Sequence, residues 1–108
     1  MNTAHFTLAA NGLYASISSS GAELRSFGRD GQASLLWDAD PHYWPRAAPI
    51  LFPIVGRLPG DYHLHQGQSY PLSQHGFARD QVFGVEQHSP EQLQLSLKSN
   101  PETLARYP

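Results

Sequence analysis

From Gln92 to Lys98 apolar and polar residues alternate strictly, with Leu93, Leu95 and Leu97 on one side and Gln94, Ser96 and Lys98 on the other. A period of two belongs to a strand with one face buried. LYASIS, from Leu13 to Ser18, alternates in the same way, with Leu13, Ala15 and Ile17 as its apolar side. HFTLAA precedes it, and the Asn11-Gly12 between them is the dipeptide of a type I′ hairpin, where both central residues need positive φ. The chain therefore opens with a hairpin. After Gly21, AELRSFGR and ASLLW predict two more short strands separated by the turn residues Arg29, Asp30 and Gly31. DYHLHQGQSYPL predicts a hairpin about Gln66 to Ser69, and QVFGVEQ is expected to pair with EQLQLSLK across Ser89-Pro90. Two short stretches read as helical: DPHYWPRA, with Asp40 as a cap before Pro41, and NPETLARY, with Asn100 as N-cap and Pro101 as first helical residue.

The alternation fails between Trp37 and Arg57. WDADPHYWPRAAPILFPIVGR holds four prolines, which rule out a regular central strand, yet its Trp, Tyr, Phe, Leu and Ile make it too apolar for a free loop. Such a segment is expected to lie pinned across a sheet face, and long ordered loops of this kind often build sites. With strand following strand and only a turn or two of helix, the fold class is all-β, a sandwich of antiparallel sheets.

Composition narrows the setting. At 108 residues the chain is one unit, and Gly and Pro at nine each suit short strands and tight turns. A net charge of −2, with both signs spread along the chain, gives no extended basic face and argues against a nucleic-acid partner. The opening MNTAHFTLAANGLYAS has neither a cationic n-region nor a continuous apolar h-region, and no run is long enough to span a bilayer. These features, with the absence of cysteine, lead to the expectation of a soluble, unexported, cytoplasmic protein without disulfides.

The chemistry concentrates in LFPIVGRL and SQHGFARD, where Arg57, His75 and Arg79 stand among Leu51, Phe52, Ile54, Val55 and Phe77. A histidine can donate to a hydroxyl or ring oxygen or exchange protons with it near neutral pH, and a guanidinium fork holds vicinal hydroxyls, carboxylates or phosphates in fixed geometry. Gly76 would allow close approach of backbone or ligand. The structural alternative is that Arg57 and Arg79 pair with Asp61 or Asp80 and that His75 caps a turn. His63 and His65 lie at i and i+2 of a strand and could share a metal, but no third ligand follows them; with Tyr62 and Leu64 supplying the apolar face, both are expected to be solvated, and no metal or other cofactor is expected.

APILFPIVGRL, followed by the spaced HGFARD, closely resembles the aldose 1-epimerase (galactose mutarotase-like) family, in particular its hexose-6-phosphate epimerase-like branch. SGAELRSF, LLWDAD with YWPRAAP, and NPETLARYP fit the same pattern. The resemblance covers nearly the whole chain. It implies an isomerase on a large antiparallel β-sandwich that binds a free sugar or sugar phosphate and interconverts its α and β anomers without a cofactor. It makes Arg57 a substrate-binding arginine, His75 the first active-site histidine and Arg79 a candidate phosphate contact. Trp37, Tyr43 and Trp44 have a family-like setting as well, although aromatics of this size in a β protein more often fill the core. The family's proton-transferring histidine and glutamate lie downstream of the HGFAR stretch and have no counterpart here; Glu86, Glu91 and Glu102 read as solvated. Residues 1–108 are therefore expected to form a single partial domain, the N-terminal part of the sandwich, inactive alone and open to self-association through uncovered sheet edges. A non-catalytic carbohydrate-binding or assembly module is the alternative.

Overall fold

The computed structural model describes residues 2–108. Strands β1 (His5–Ala10), β2 (Leu13–Ser18) and β3 (Glu23–Arg29) form an antiparallel sheet with β2 in the middle. Asn11 and Gly12 have φ of 52° and 77°, the paired positive values of a type I′ turn, and set Ala10 opposite Leu13. β4 (Tyr62–His65) and β5 (Gln68–Pro71) form a second hairpin about Gln66-Gly67, again with both φ positive. β6 (Gly84–His88) and β7 (Leu93–Ser96) form a third pair, with a bulge between Val85 and Gln87. All the pairing within these sheets is antiparallel. The one α-helical turn, α1 (Pro101–Leu104), starts where the sequence predicts: the Asn100 side chain accepts from the Thr103 N–H, and the Thr103 hydroxyl accepts from the Asn100 N–H.

Two expected elements are absent. ASLLW is not a strand: the Leu35 N–H donates to the Phe27 carbonyl and the Ser34 hydroxyl accepts from the Phe27 N–H, but no ladder follows and Leu35 is 83% exposed. Alternation over so few residues does not make a strand without a partner edge. DPHYWPRA is a single turn, closed by the Tyr43 and Trp44 N–H groups on the Asp40 carbonyl, and Pro45, which has no N–H, cannot continue it.

The segment from Trp37 to Arg57 is held by an anchor that the sequence does not announce. Glu23, at the start of β3, is buried, and one of its carboxylate oxygens accepts the N–H groups of Ala47 (2.9 Å) and Ala48 (3.1 Å) while the other accepts from Arg25 (2.6 Å). Burial opposes ionisation of Glu23, but the Ala47 amide, the Arg25 guanidinium and the Ala48 amide together outweigh it and hold the carboxyl below its ordinary value. Ala47 and Ala39 are buried, whereas Trp37, Tyr43, Trp44, Ile50, Phe52 and Val55 remain exposed. The segment is thus pinned at its middle, and most of its large side chains are left uncovered, Leu51 and Ile54 being half-buried.

Few apolar side chains are enclosed. Among the described residues the buried ones are Ala39, Ala47, Leu72, Phe77 and Ala78, and of these Leu72 alone is large and fully covered. The surface of 7325 Å² exceeds the roughly 6,000 Å² typical of a compact 12.0 kDa monomer, and the radius of gyration of 16.3 Å exceeds the roughly 13 Å expected at this length.

Candidate functional site

The loops singled out by sequence are joined by main-chain hydrogen bonds. The carbonyl of Phe52 accepts from the N–H groups of Phe77 (3.0 Å) and Ala78 (3.1 Å), and the His75 N–H donates to the Gly56 carbonyl (2.8 Å). In return, the Gly56 N–H donates to Nδ1 of the His75 ring at 2.8 Å. Phe52 and Gly76 form an isolated parallel bridge. Such closeness requires glycine: a Cβ on Gly76 would collide with the Phe52 carbonyl oxygen and lie 2.6 Å from the Pro53 ring, and its φ of 73° is left-handed. His75 itself has a φ of 63°, which is uncommon and costly for a side chain of its size.

His75 lines an open cleft of about 350 Å³ together with Trp44, Pro49, Leu51, Gln74 and Arg79. Trp44 is 48% exposed, so the expectation that it fills the core is not met; it lines the cleft instead. The backbone carbonyl of Trp44 accepts from Trp37 Nε1 at 2.9 Å, which ties the two tryptophans together. Arg79 sits in the short 3₁₀ turn Ala78–Asp80; its Nη2 donates to the Gln74 carbonyl (3.1 Å), and its buried Nε has no partner. Asp80 does not brace Arg79; its carboxylate accepts from Arg46 at 2.9 Å. The turn is set against the β2–β3 connection through Gly21, whose N–H donates to Gln81 and where a Cβ would meet the Arg79 carbonyl oxygen at 2.6 Å.

Arg57 stands outside this cleft. Its guanidinium makes two bonds to Asp61, Nε to Oδ1 at 3.0 Å and Nη2 to Oδ2 at 3.2 Å, and hydrogen bonding followed by the charge of Asp61 raises its already high pKa. The structure therefore brings His75 and Arg79 together with Trp44 and keeps Arg57 on the adjoining loop, beside Gly56. Sequence reasoning overlooked Gly56 and Gln74; the only available signal was a glycine immediately before Arg57.

A larger cavity, about 490 Å³, also includes Arg79, with Arg25, Arg46, Glu23 and Asp80 in its wall. Its carboxylates are already engaged, Glu23 by Arg25 and Asp80 by Arg46, so it reads as a structural charge cluster. The histidine pair on β4 is divided: His63 Nε2 donates to the Arg106 carbonyl at 2.6 Å, and its ring packs on Tyr70 and Tyr107. His63 is thus half-buried against expectation, whereas His65 is exposed as expected, and Tyr62 and Leu64, expected to supply an apolar face, are exposed too. Among the described residues no three His, Cys, Asp or Glu side chains gather as a metal site would require. No helix among the described residues is long and apolar enough to cross a membrane.

The galactose mutarotase related enzyme of Lactobacillus acidophilus superposes with a TM-score of 0.93 at 42% sequence identity, over 96% of this chain and 35% of its own. A galactose mutarotase-like protein from Lactobacillus casei gives a TM-score of 0.91 at 36% identity, over 95% of this chain and 35% of its own. Protein LacX of Lactococcus lactis subsp. lactis is 37% identical over 92 residues, which is 81% of this chain and 31% of LacX. The chain thus spans about a third of the length of these relatives. These likenesses identify the fold as that of the galactose mutarotase-like sandwich. The family model described as aldose 1-epimerase matches residues 4–108, with both stapled loops inside the match, and the chain belongs to the aldose 1-epimerase family.

Proposed function

We propose that this chain carries the sugar-contacting wall of an aldose 1-epimerase, an isomerase that interconverts the α and β anomers of a free sugar or sugar phosphate. The observation that carries the reading is the placement of His75. Its ring is locked to the 52–56 loop through Nδ1, which leaves Nε2 for the cleft that it lines with Trp44 and Arg79. An indole face packs on the C–H face of a pyranose, a neutral imidazole N–H reaches a ring or anomeric oxygen, and a guanidinium reaches hydroxyls or a phosphate. Arg57 contacts the substrate from the adjoining loop, once its exposed carboxylate partner Asp61 yields to substrate oxygens.

Mutarotation needs one group to take the proton of the anomeric hydroxyl and another to protonate the ring oxygen. No carboxylate lines the His75 cleft among the described residues. Glu86 accepts from the Ser96 hydroxyl, and Glu102 lies 3.5 Å from Arg106. This favours a second reading for the chain taken by itself, a carbohydrate-binding module without turnover. Polarimetry of freshly dissolved α-D-glucose and α-D-galactose tests the first reading. Acceleration that His75→Ala abolishes supports catalysis within these residues; saturable sugar-induced NMR shifts without acceleration support the binding module; neither effect in a folded chain refutes both.

The same chain is proposed to associate with a second copy. Leu35, Leu64, Val55 and Tyr43 are each at least 77% exposed, and the surface in excess of a compact monomer's is larger than the roughly 800 Å² that one partner buries in a standard interface.

A further inference from the structure

The hydrogen bond that fixes the His75 ring also fixes which of its nitrogens carries the hydrogen. A backbone N–H can only donate, so at 2.8 Å from the Gly56 nitrogen, Nδ1 must present its lone pair. A neutral imidazole has one N–H and one lone pair, and with the lone pair of Nδ1 engaged the hydrogen resides on Nε2. We infer that Gly56 is a positioning residue whose amide makes His75 a donor-only group in the cleft: His75 gives a hydrogen bond to a sugar oxygen through Nε2–H and does not take the anomeric proton. The inference rests on the sugar-binding reading for the identity of the acceptor, and on the Gly56 bond alone for the tautomer.

The surroundings agree with this assignment. The Gly56 bond is doubled by the His75 N–H donating to the Gly56 carbonyl, so ring and backbone of one residue are held by the two main-chain groups of the other. Rotation of the ring would break one bond of this reciprocal pair, and the left-handed backbone at His75, φ 63°, limits where else the ring can go. The Gln74 amide nitrogen lies 3.5 Å from Nε2, so accepting from an Nε2–H requires the carboxamide to turn its oxygen toward the ring. Arg79 is the other ionisable side chain of the cleft and is also purely a donor. Trp44, Pro49 and Leu51, the remaining lining residues, carry no proton acceptor on their side chains. The ionisable side chains that line this cleft, His75 and Arg79, are therefore both donors, suited to sugar oxygens and to phosphate, and neither takes the anomeric proton.

The test is long-range ¹⁵N–¹H correlation on the histidine-labelled chain, in mildly alkaline buffer where imidazole is neutral, with and without D-glucose, D-galactose and D-glucose 6-phosphate. Nδ1 of His75 is expected to resonate as an unprotonated nitrogen and Nε2 as a protonated one, in all samples. His75→Asn supplies an oxygen near the Nδ1 position and tolerates left-handed backbone, so it should preserve the exchange protection of the Gly56 amide and lose the sugar-induced shifts. In His75→Ala that amide should exchange about fivefold faster. A protonated Nδ1, or an averaged tautomer, overturns the inference even if sugar binds. Parent-like sugar shifts in His75→Asn also overturn it, because the ring would then be only a structural brace. The expected tautomer with no shift from any sugar leaves the Gly56 device standing and removes the sugar-binding reading instead.

Discussion

Replacing Glu23 by alanine should release the segment from Trp37 to Arg57 from β3. The carboxylate is the acceptor for two backbone N–H groups, and the bond to Ala47 is buried, so its loss leaves a buried donor without its partner. An orphaned buried N–H costs about 1–3 kcal/mol, and the half-buried Ala48 amide, which regains part of its bonding from solvent, adds roughly 0.5–1 kcal/mol. Arg25, with its side chain 35% exposed, returns to water and is assigned nothing. The sum is about 1.5–4 kcal/mol, or with a urea dependence near 1–1.5 kcal/mol per molar, a midpoint lower by roughly 1–4 M. Glu23→Gln provides the control. Both backbone donors converge on one oxygen, which a carboxamide reproduces, so only the exposed Arg25 end is disturbed and the midpoint should fall by less than about 1 M. Tryptophan fluorescence is the natural assay, because Trp37 and Trp44 both lie on the anchored segment. A parent-like midpoint for Glu23→Ala, or equal losses in the two variants, would refute the anchoring role.

The same carboxyl should also limit acid stability. Because its folded value lies below the ordinary value of 4.5, its contribution is fully present above that pH and is lost as pH falls through the lower folded value; Glu23→Ala should lack this acid limb in a urea titration. Gly76→Ala should disrupt the bridge to Phe52 and lower the unfolding midpoint far more than Gly12→Ala, whose new methyl meets nothing within 4 Å and which costs only the roughly 1–2 kcal/mol of left-handed strain. Arg57→Ala should leave the melting temperature unchanged while weakening sugar-induced shifts, since its Asp61 partner is a surface pair; a drop in melting temperature with intact binding would reverse that assignment. Light scattering should find a dimer whose dissociation constant rises on Leu64→Glu; a monomer at every concentration would exclude the proposed self-association.

Local chemistry was legible where it is self-contained. Asn11-Gly12 dictates its turn through φ alone, and Asn100 with Thr103 closes its own capping box, so these elements appear where the residues predict; the second hairpin also forms, but its turn is the tighter Gln66-Gly67 rather than Gln66 to Ser69. ASLLW failed because alternation describes a face but does not supply the edge it must pair with, and the aromatics of the 37–57 segment were misjudged because a long apolar loop suggests burial without naming its cover. Glu23 was invisible for a related reason: a glutamate at the start of a strand looks solvated until a segment more than twenty residues later brings two amides to it. At the site, the sequence brought out His75 and Arg79 but not their tautomer or their partners, because Gly56 acts through main-chain atoms and leaves no side-chain signature.

That staple has a consequence for how freely these loops can vary. The bonds between the 52–56 and 75–78 stretches run between backbone groups, except for the one made by the His75 ring. The side chains of Leu51, Ile54 and Val55 take no part in them, and Val55 is 77% exposed. A randomised library across Leu51, Ile54 and Val55 should therefore keep the imidazole in place in most members, while Gly76 and His75 tolerate almost nothing. The architecture separates Leu51, which lines the cleft, from the groups that hold its central donor, so that part of the wall can be retuned without rebuilding the support beneath it.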